Sequence, residues 1–170
     1  MERRGIVNQV FVYIFVAIVI ALIVLFGFNQ IGGILRISEK AKYIDFKLNL
    51  EKSAESIFVK SPGSLVEYSK MSSKKPLILP KSIKKVCFKN KDKELDVNEL
   101  NKLKEDEKNI LKRIDKNVIL LPLDYDAFDI EGLKTSKNPL CFNTLNEKIS
   151  FILESKFVND ENYVEIREVS

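Results

Sequence analysis

The amino-acid sequence predicts an α+β protein: a long N-terminal helix, membrane-spanning and then amphipathic, packed on a small and mostly antiparallel β-sheet domain. Three observations carry this prediction. From Ile6 to Leu35 there is no charged residue, and 23 of the 30 positions are apolar. From Ile37 to Phe58, apolar residues recur at the three- and four-residue spacing of a helix face. Beyond residue 60, short β-rich runs alternate with Pro, Gly, Asn and Asp turn signals.

Composition narrows the chemistry. The last 135 residues hold 53 apolar side chains, with 26 Lys+Arg against 23 Asp+Glu, an ordinary polar domain with room for one modest core. The chain has no His and no Trp, which excludes a Ser-His-Asp triad, a Cys-His dyad and any imidazole metal site. Its two Cys cannot make a four-thiolate zinc site and are not a CxxC redox pair.

The first element is the anchor. Val10 to Phe28 is an unbroken apolar run apart from Gly27. At about 1.5 Å per residue it measures roughly 28 Å as a helix, close to the ~30 Å hydrocarbon core of a bilayer. A helix is the structure that satisfies every backbone polar group of a single span internally. Arg3, Arg4 and the terminal amine precede the run and the next charge is Arg36. That asymmetry favours a cytoplasmic N-terminus and an extracytoplasmic C-terminal domain, against the opposing pull of Arg36, Lys40 and Lys42 near the exit. A cleaved secretory signal fits less well, because its apolar region spans about 7 to 15 residues and ends in a small-x-small site. Neither Phe26-Gly27-Phe28 nor Ile31-Gly32-Gly33 supplies that site. The predicted organisation is a basic leader over 1–5, the transmembrane helix and juxtamembrane stretch over 6–35, an amphipathic helix over 36–60, and a β-rich domain over 61–170 with one inserted helix at about 96–115.

In the amphipathic helix, Ile37, Ala41, Ile44 and Leu48 form the apolar stripe, widened by Phe46, Leu50, Ala54, Ile57 and Phe58. Such a helix needs a sheet to cover its stripe. Ser61-Pro62-Gly63-Ser64 ends it. Strands are expected over 65–68, 77–79, 83–88, 118–123 and 140–142. The last expected pair is a hairpin, with Ile149, Phe151, Leu153 and Phe157 on one face, a turn at 159–162 and a return over 163–169. Asp96-Val97-Asn98-Glu99 is a capping-box pattern opening a charged helix to Asp115, with Leu100, Leu103, Ile110, Leu111 and Ile114 on its apolar edge.

The short basic leader ending in glycine (Met1-Glu2-Arg3-Arg4-Gly5), the immediate apolar helix, its amphipathic continuation and the C-terminal β-rich head resemble the type IV pilin and pseudopilin architecture, closest to small archaeal surface proteins of this layout. The resemblance implies cleavage by a dedicated prepilin peptidase after Gly5 and association of the N-terminal helices in a filament core. It covers the first 60 residues, and the head in outline. The sequence departs from the bacterial pattern in having Val10 where a Glu usually stands five residues after the cut. A plain signal anchor with a basic end accounts for the same residues.

Cys87 and Cys141 sit in matching contexts, Val86-Cys87-Phe88 and Leu140-Cys141-Phe142. In strands, the flanking apolar pair points one way and the cysteine the other. If the two strands are neighbours in register, the thiols meet at disulfide distance, and an extracytoplasmic compartment permits oxidation. The alternative is two buried thiols acting as small hydrophobes. Asp124, Asp126, Asp129 and Glu131, followed by Gly132, form an acidic loop that is a weak calcium candidate, without the spacing of an EF-hand. A solvated loop pinned to the core by Tyr125 and Phe128 is the plainer account. Asn90, Asp92, Glu94 and Asp96 also alternate, but lack the central Gly. No cofactor and no small-molecule substrate is indicated.

Charge is uneven. From Lys60 to Lys93 there are 10 Lys against Glu67 and Asp92, whereas from Glu94 to the end 11 basic residues face 17 acidic ones. Lys70, Lys74, Lys75, Lys81, Lys84 and Lys85 form the basic patch. With only Tyr68 and Phe88 interleaved, it lacks the signature of single-strand nucleic-acid binding, and head-to-tail self-association is the other use of such asymmetry. Ser69, Ser72, Ser73 and Ser82 near these lysines would be the raw material of a Ser-Lys hydrolase, a proximity that composition alone produces. The sequence thus favours a non-enzymatic, single-pass, membrane-anchored structural or binding protein, with the bilayer and its own N-terminal helices as partners. A monomeric anchored ectodomain that binds an envelope partner is the alternative.

Overall fold

The structure is a computed structural model that describes residues 3–68, 77–158 and 160–169, with side chains described for these except 3–8 and 28–32. The chain divides into two compact units, Met1–Lys40 and Ala41–Ser170. The first is helical throughout its described length, being the N-terminal part of α1 (Arg3–Phe58). No proline interrupts that helix, and none of its apolar side chains from Val10 to Phe26 is buried.

The second unit is α+β. The C-terminal part of α1 leads to β1 (Leu65–Tyr68), β2 (Lys85–Phe88), α2 (Val97–Asn101), α3 (Glu105–Arg113), β3 (Val118–Leu121), β4 (Leu133–Thr135), β5 (Leu140–Asn143), β6 (Phe151–Val158) and β7 (Glu161–Arg167). They form a four-stranded sheet of order β1-β6-β7-β4 and a three-stranded sheet of order β3-β2-β5. Every pairing of these strands is antiparallel except β4 with β7.

Both sheets and the helix share one core. Phe46, Leu50, Ala54 and Ile57 of α1 pack with Phe151 and Leu153 of β6, Val164 and Ile166 of β7, and Val86 and Phe88 of β2. Each such buried side chain contributes roughly 1.5–3 kcal/mol from removal of apolar surface from water. The three-stranded sheet is covered on its second face as well, where Leu100 of α2 and Leu111 of α3 pack on Cys87, Ile119 and Leu121. Two covered faces explain why β3, Val118-Ile119-Leu120-Leu121, is buried at all four positions.

Several expectations change on contact with the structure. Half of the predicted helix stripe is not covered: Ile44 and Leu48 are 44% and 45% exposed, while Phe46, Leu50, Ala54 and Ile57 take the sheet. The stretch 77–79 is not a strand; Leu77 and Leu79 are buried, and Ile78 forms an isolated bridge to Lys148. The inserted helix is broken at Lys102–Lys104. Lys102 N and Leu103 N close three-residue turns onto Glu99 O and Leu100 O, and the extended Lys104 then starts α3 by donating its N–H to the Glu107 carboxylate. Phe157 is 55% exposed, because Ser155 occupies the last fully buried position of its face and donates to Lys60 O. Strand β4 has no β-rich signature; it exists through the pairing of Leu133 with Val164 and Thr135 with Ile166.

Three asparagines tie loops to these sheets. Asn117 mimics a strand partner of Ile130, accepting from its N–H and donating to its carbonyl. Asn90 does the same for Thr135. Asn138 Nδ2 donates to the carbonyls of Asn90, Lys93 and Glu94, satisfying backbone groups that no ladder reaches.

Candidate functional site

Within the first unit, Gln9–Gly27 is a helical segment long and apolar enough to cross a membrane, 19 residues of which none is buried. Exposed large apolar side chains such as Phe11, Phe15, Ile18, Ile23 and Leu25 cover it on all sides. A helix greasy all round cannot remain in water without a cover. Gly5 lies in α1, four residues before this span.

In the second unit, β2 pairs with β5 so that Cys87 faces Cys141 directly. The two form a disulfide with S–S 2.07 Å and Cα–Cα 4.0 Å. The alternation within the strands produces this: Val86 and Phe88 enter the main core, and the sulfurs point to the opposite face beneath α2 and α3. Cys87 is fully buried.

The acidic loop is not arranged around a cation. Asp124, Asp126 and Glu131 are exposed. The Asp129 carboxylate is occupied by Lys116 Nζ at 2.8 Å, Lys91 Nζ at 2.9 Å and Asn117 N at 3.0 Å. Partial burial opposes its ionisation, but these three donors outweigh that and hold its pKa at about 2. Among the described residues no group of three or more His, Cys, Asp or Glu side chains could hold a metal ion. Tyr125 stacks on Tyr43 at 4.8 Å, and Phe128 is buried edge-on to Phe46, which pins the loop to α1. Asn90 and Asp96 of the second acidic alternation are committed to Thr135 and to capping α2.

Of the basic patch, Lys70, Lys74 and Lys75 lie outside the described residues, as do Ser69, Ser72 and Ser73. Lys81 and Lys84 are exposed, as is Ser82. Lys85 does not belong to a free basic surface: its Nζ sits 2.7 Å from the Glu107 carboxylate of α3. Burial opposes ionisation of Glu107, and the hydrogen bonds from Lys85 and Lys104 N override it and lower its pKa. Lys89, also within the basic run, is buried and donates to Leu111 O and Ile114 O at the end of α3, where a cation meets the unpaired carbonyls.

A groove of about 1260 Å³ lies in this unit, between the C-terminal turns of α1, the 90–93 loop and the β4–β7 edge. Gly132 forms part of its wall with φ +67°, and an added Cβ there would come within 3.0 Å of the Phe58 ring. Some of its charges are paired with each other: Lys134 pairs with Glu161 at 3.1 Å and lies over the Tyr163 ring at 4.8 Å, and Lys91 pairs with Asp129. Compared with protein-family models, curated proteins and solved structures, the chain matches none. The class defined by its own geometry is an α+β protein carrying, near its N-terminus, one helix with the length and polarity of a membrane span.

Proposed function

We propose that this protein is a single-pass, membrane-anchored structural or binding protein of pilin-like layout, with a cytoplasmic basic leader and an extracytoplasmic C-terminal domain. The observation that carries this reading is the bare apolar helix Gln9–Gly27, uncovered on every side, in a chain whose second unit buries its own core. A bilayer removes about 19 residues of apolar surface from water, a cover that no other described part of the chain supplies. The disulfide supports an oxidising compartment for the domain. No catalytic role is assigned. The domain is proposed as a displayed subunit of a surface or secretion assembly, held at the membrane by its N-terminal helix. Membrane fractionation with alkaline extraction tests anchoring: the protein should stay with the bilayer, and release by alkali would refute it. Intact mass of the extracted protein separates the two leader readings. Loss of residues 1–5 supports a processed pilin-like subunit, and retention of the leader supports an unprocessed anchored ectodomain.

A further inference from the structure

The two sheets have four edge strands, β1 and β4 in one and β3 and β5 in the other. Edge strands are guarded in folded proteins by charge or by cover, because their outward backbone groups can pair with any other strand. β1 carries the exposed Glu67. On β3, Val118 exchanges both backbone hydrogen bonds with Phe128. On β4, the Asn90 side chain bonds the N–H and the carbonyl of Thr135. β5 has no such guard among the described residues. It lies within Asn138–Asn146, nine consecutive uncharged residues and the longest such run after Arg36, in a chain that is 31% charged.

Thr144 N donates to Lys84 O, which fixes the alternation of the ladder between β2 and β5. Leu140 and Phe142 therefore bond to β2, and Cys141 and Asn143 turn their N–H and C=O groups outward. The 4.0 Å between the Cα atoms of Cys87 and Cys141 is the short spacing of a pair that exchanges no such bonds. Among the described residues no hydrogen bond reaches the outward groups. Asn143 is exposed and Phe142 is half-buried.

We propose that β5 pairs antiparallel with β5 of a second copy, about a two-fold axis through Phe142, so that the two three-stranded sheets become one. Register and charge set the occupant. An axis at Phe142 sets Cys141 of each copy against Asn143 of the other, and every outward group finds a partner. An axis at Cys141 would offer Asn143 only Pro139, which has no N–H. One at Asn143 would offer Cys141 only Leu145, whose N–H and C=O already bond Lys148. The axis at Phe142 also sets position 138 against 146, so the uncharged run pairs with itself along its whole length. Near a two-fold axis each side chain meets its own counterpart, and a charge there would repel itself. The two Phe142 rings, each edge-on to Phe88 of its own copy at 5.9 Å, meet at the non-hydrogen-bonded position, where cross-strand side chains come closest. The contact is small, so the dimer is weak and depends on concentration. It involves the second unit alone and does not rest on the anchoring proposed above.

The test uses the full chain in excess detergent micelles over a range of concentrations. Sedimentation reads the dimer, and residue-resolved amide exchange reads the edge. The Cys141 and Asn143 amides should slow in step with the dimer fraction, about two-fold at half association and about ten-fold at nine-tenths. Glu67, on the outer edge of β1, should keep its rate. Asn143→Pro removes an N–H that makes no bond within its own sheet. It should weaken association about ten-fold or more and leave the thermal midpoint within about 2 °C. Asn143→Lys, which puts like charges across the axis, should weaken it about two- to five-fold. Asn101→Lys, exposed on α2 and off the edge, should change nothing. A chain that stays monomeric up to millimolar concentration, or a dimer in which both amides keep their monomer rates, overturns the pairing. So does a dimer indifferent to both Asn143 variants, the result expected of association through the N-terminal helices.

Discussion

Leu50 and Leu48 test the division of labour on α1 directly. Replacing Leu50 with Ala removes a fully buried side chain from the junction of the helix with the sheets. The lost transfer energy and the cavity left behind cost about 2–5 kcal/mol. For a folded unit of this size that lowers the midpoint of thermal unfolding by roughly 7–18 °C. Replacing Leu48 with Ala, two positions away on the same helix with the same helix propensity change, removes a side chain that is 45% exposed and outside the core. Its cost should stay within about 0.5 kcal/mol, a shift of no more than roughly 2 °C. The assay is thermal unfolding of the full chain in detergent micelles, followed by circular dichroism in the β-sheet region, where the anchor contributes little change. Equal losses from the two variants, or a larger loss from Leu48→Ala, would refute the assignment of the core face.

The remaining predictions concern the cross-link and the acid limb. The disulfide closes a loop with a sequence separation of 54, so Cys87→Ala with Cys141→Ala should destabilise the domain by up to about 4 kcal/mol, read as a fall in the guanidinium midpoint; an unchanged midpoint would show that the bond adds nothing to the ladder around it. Asp129 has a folded-state pKa of about 2, below its ordinary 3.8. Its stabilisation is therefore complete above about pH 4 and is lost as pH falls toward 2. After allowance for solvent screening this amounts to about 1 kcal/mol. Asp129→Asn, which keeps an acceptor for Asn117 N, should lower stability at pH 6 and flatten the loss between pH 4 and 2, and an acid limb as steep as the parent's would exclude the lysine pairing as its cause.

Much of the architecture is readable in the sequence wherever a residue's role depends on its immediate neighbours. The apolar run is visible because no charge interrupts it. The Cys87 and Cys141 contexts encode which side of its strand each sulfur takes, because a strand alternates sides, but that the two strands pair in register is decided by the fold. The hairpin of β6 and β7 shows in its alternation. The Asp96 cap is local as well, and its side chain accepts from Asn98 N. The acidic stretch at 124–131 is legible as a loop, but its electrostatics is not. Its central carboxylate meets Lys91, nearly forty residues away in sequence, and no spacing rule connects the two.

The sequence alone determined the apolar span, the helix that continues it and the β-rich character of the C-terminal domain, since each rests on composition and short-range periodicity. Only the tertiary structure decided which face of α1 the sheets cover, because Leu48 and Leu50 are equally apolar and differ in direction alone. It also decided the existence of β4, where a three-residue stretch becomes a strand when a distant edge offers its hydrogen bonds. The roles of Asn90, Asn117 and Asn138 were decided in the same way. Their amides are valuable where loops leave backbone groups buried and unpaired, and that condition exists only once the chain has folded.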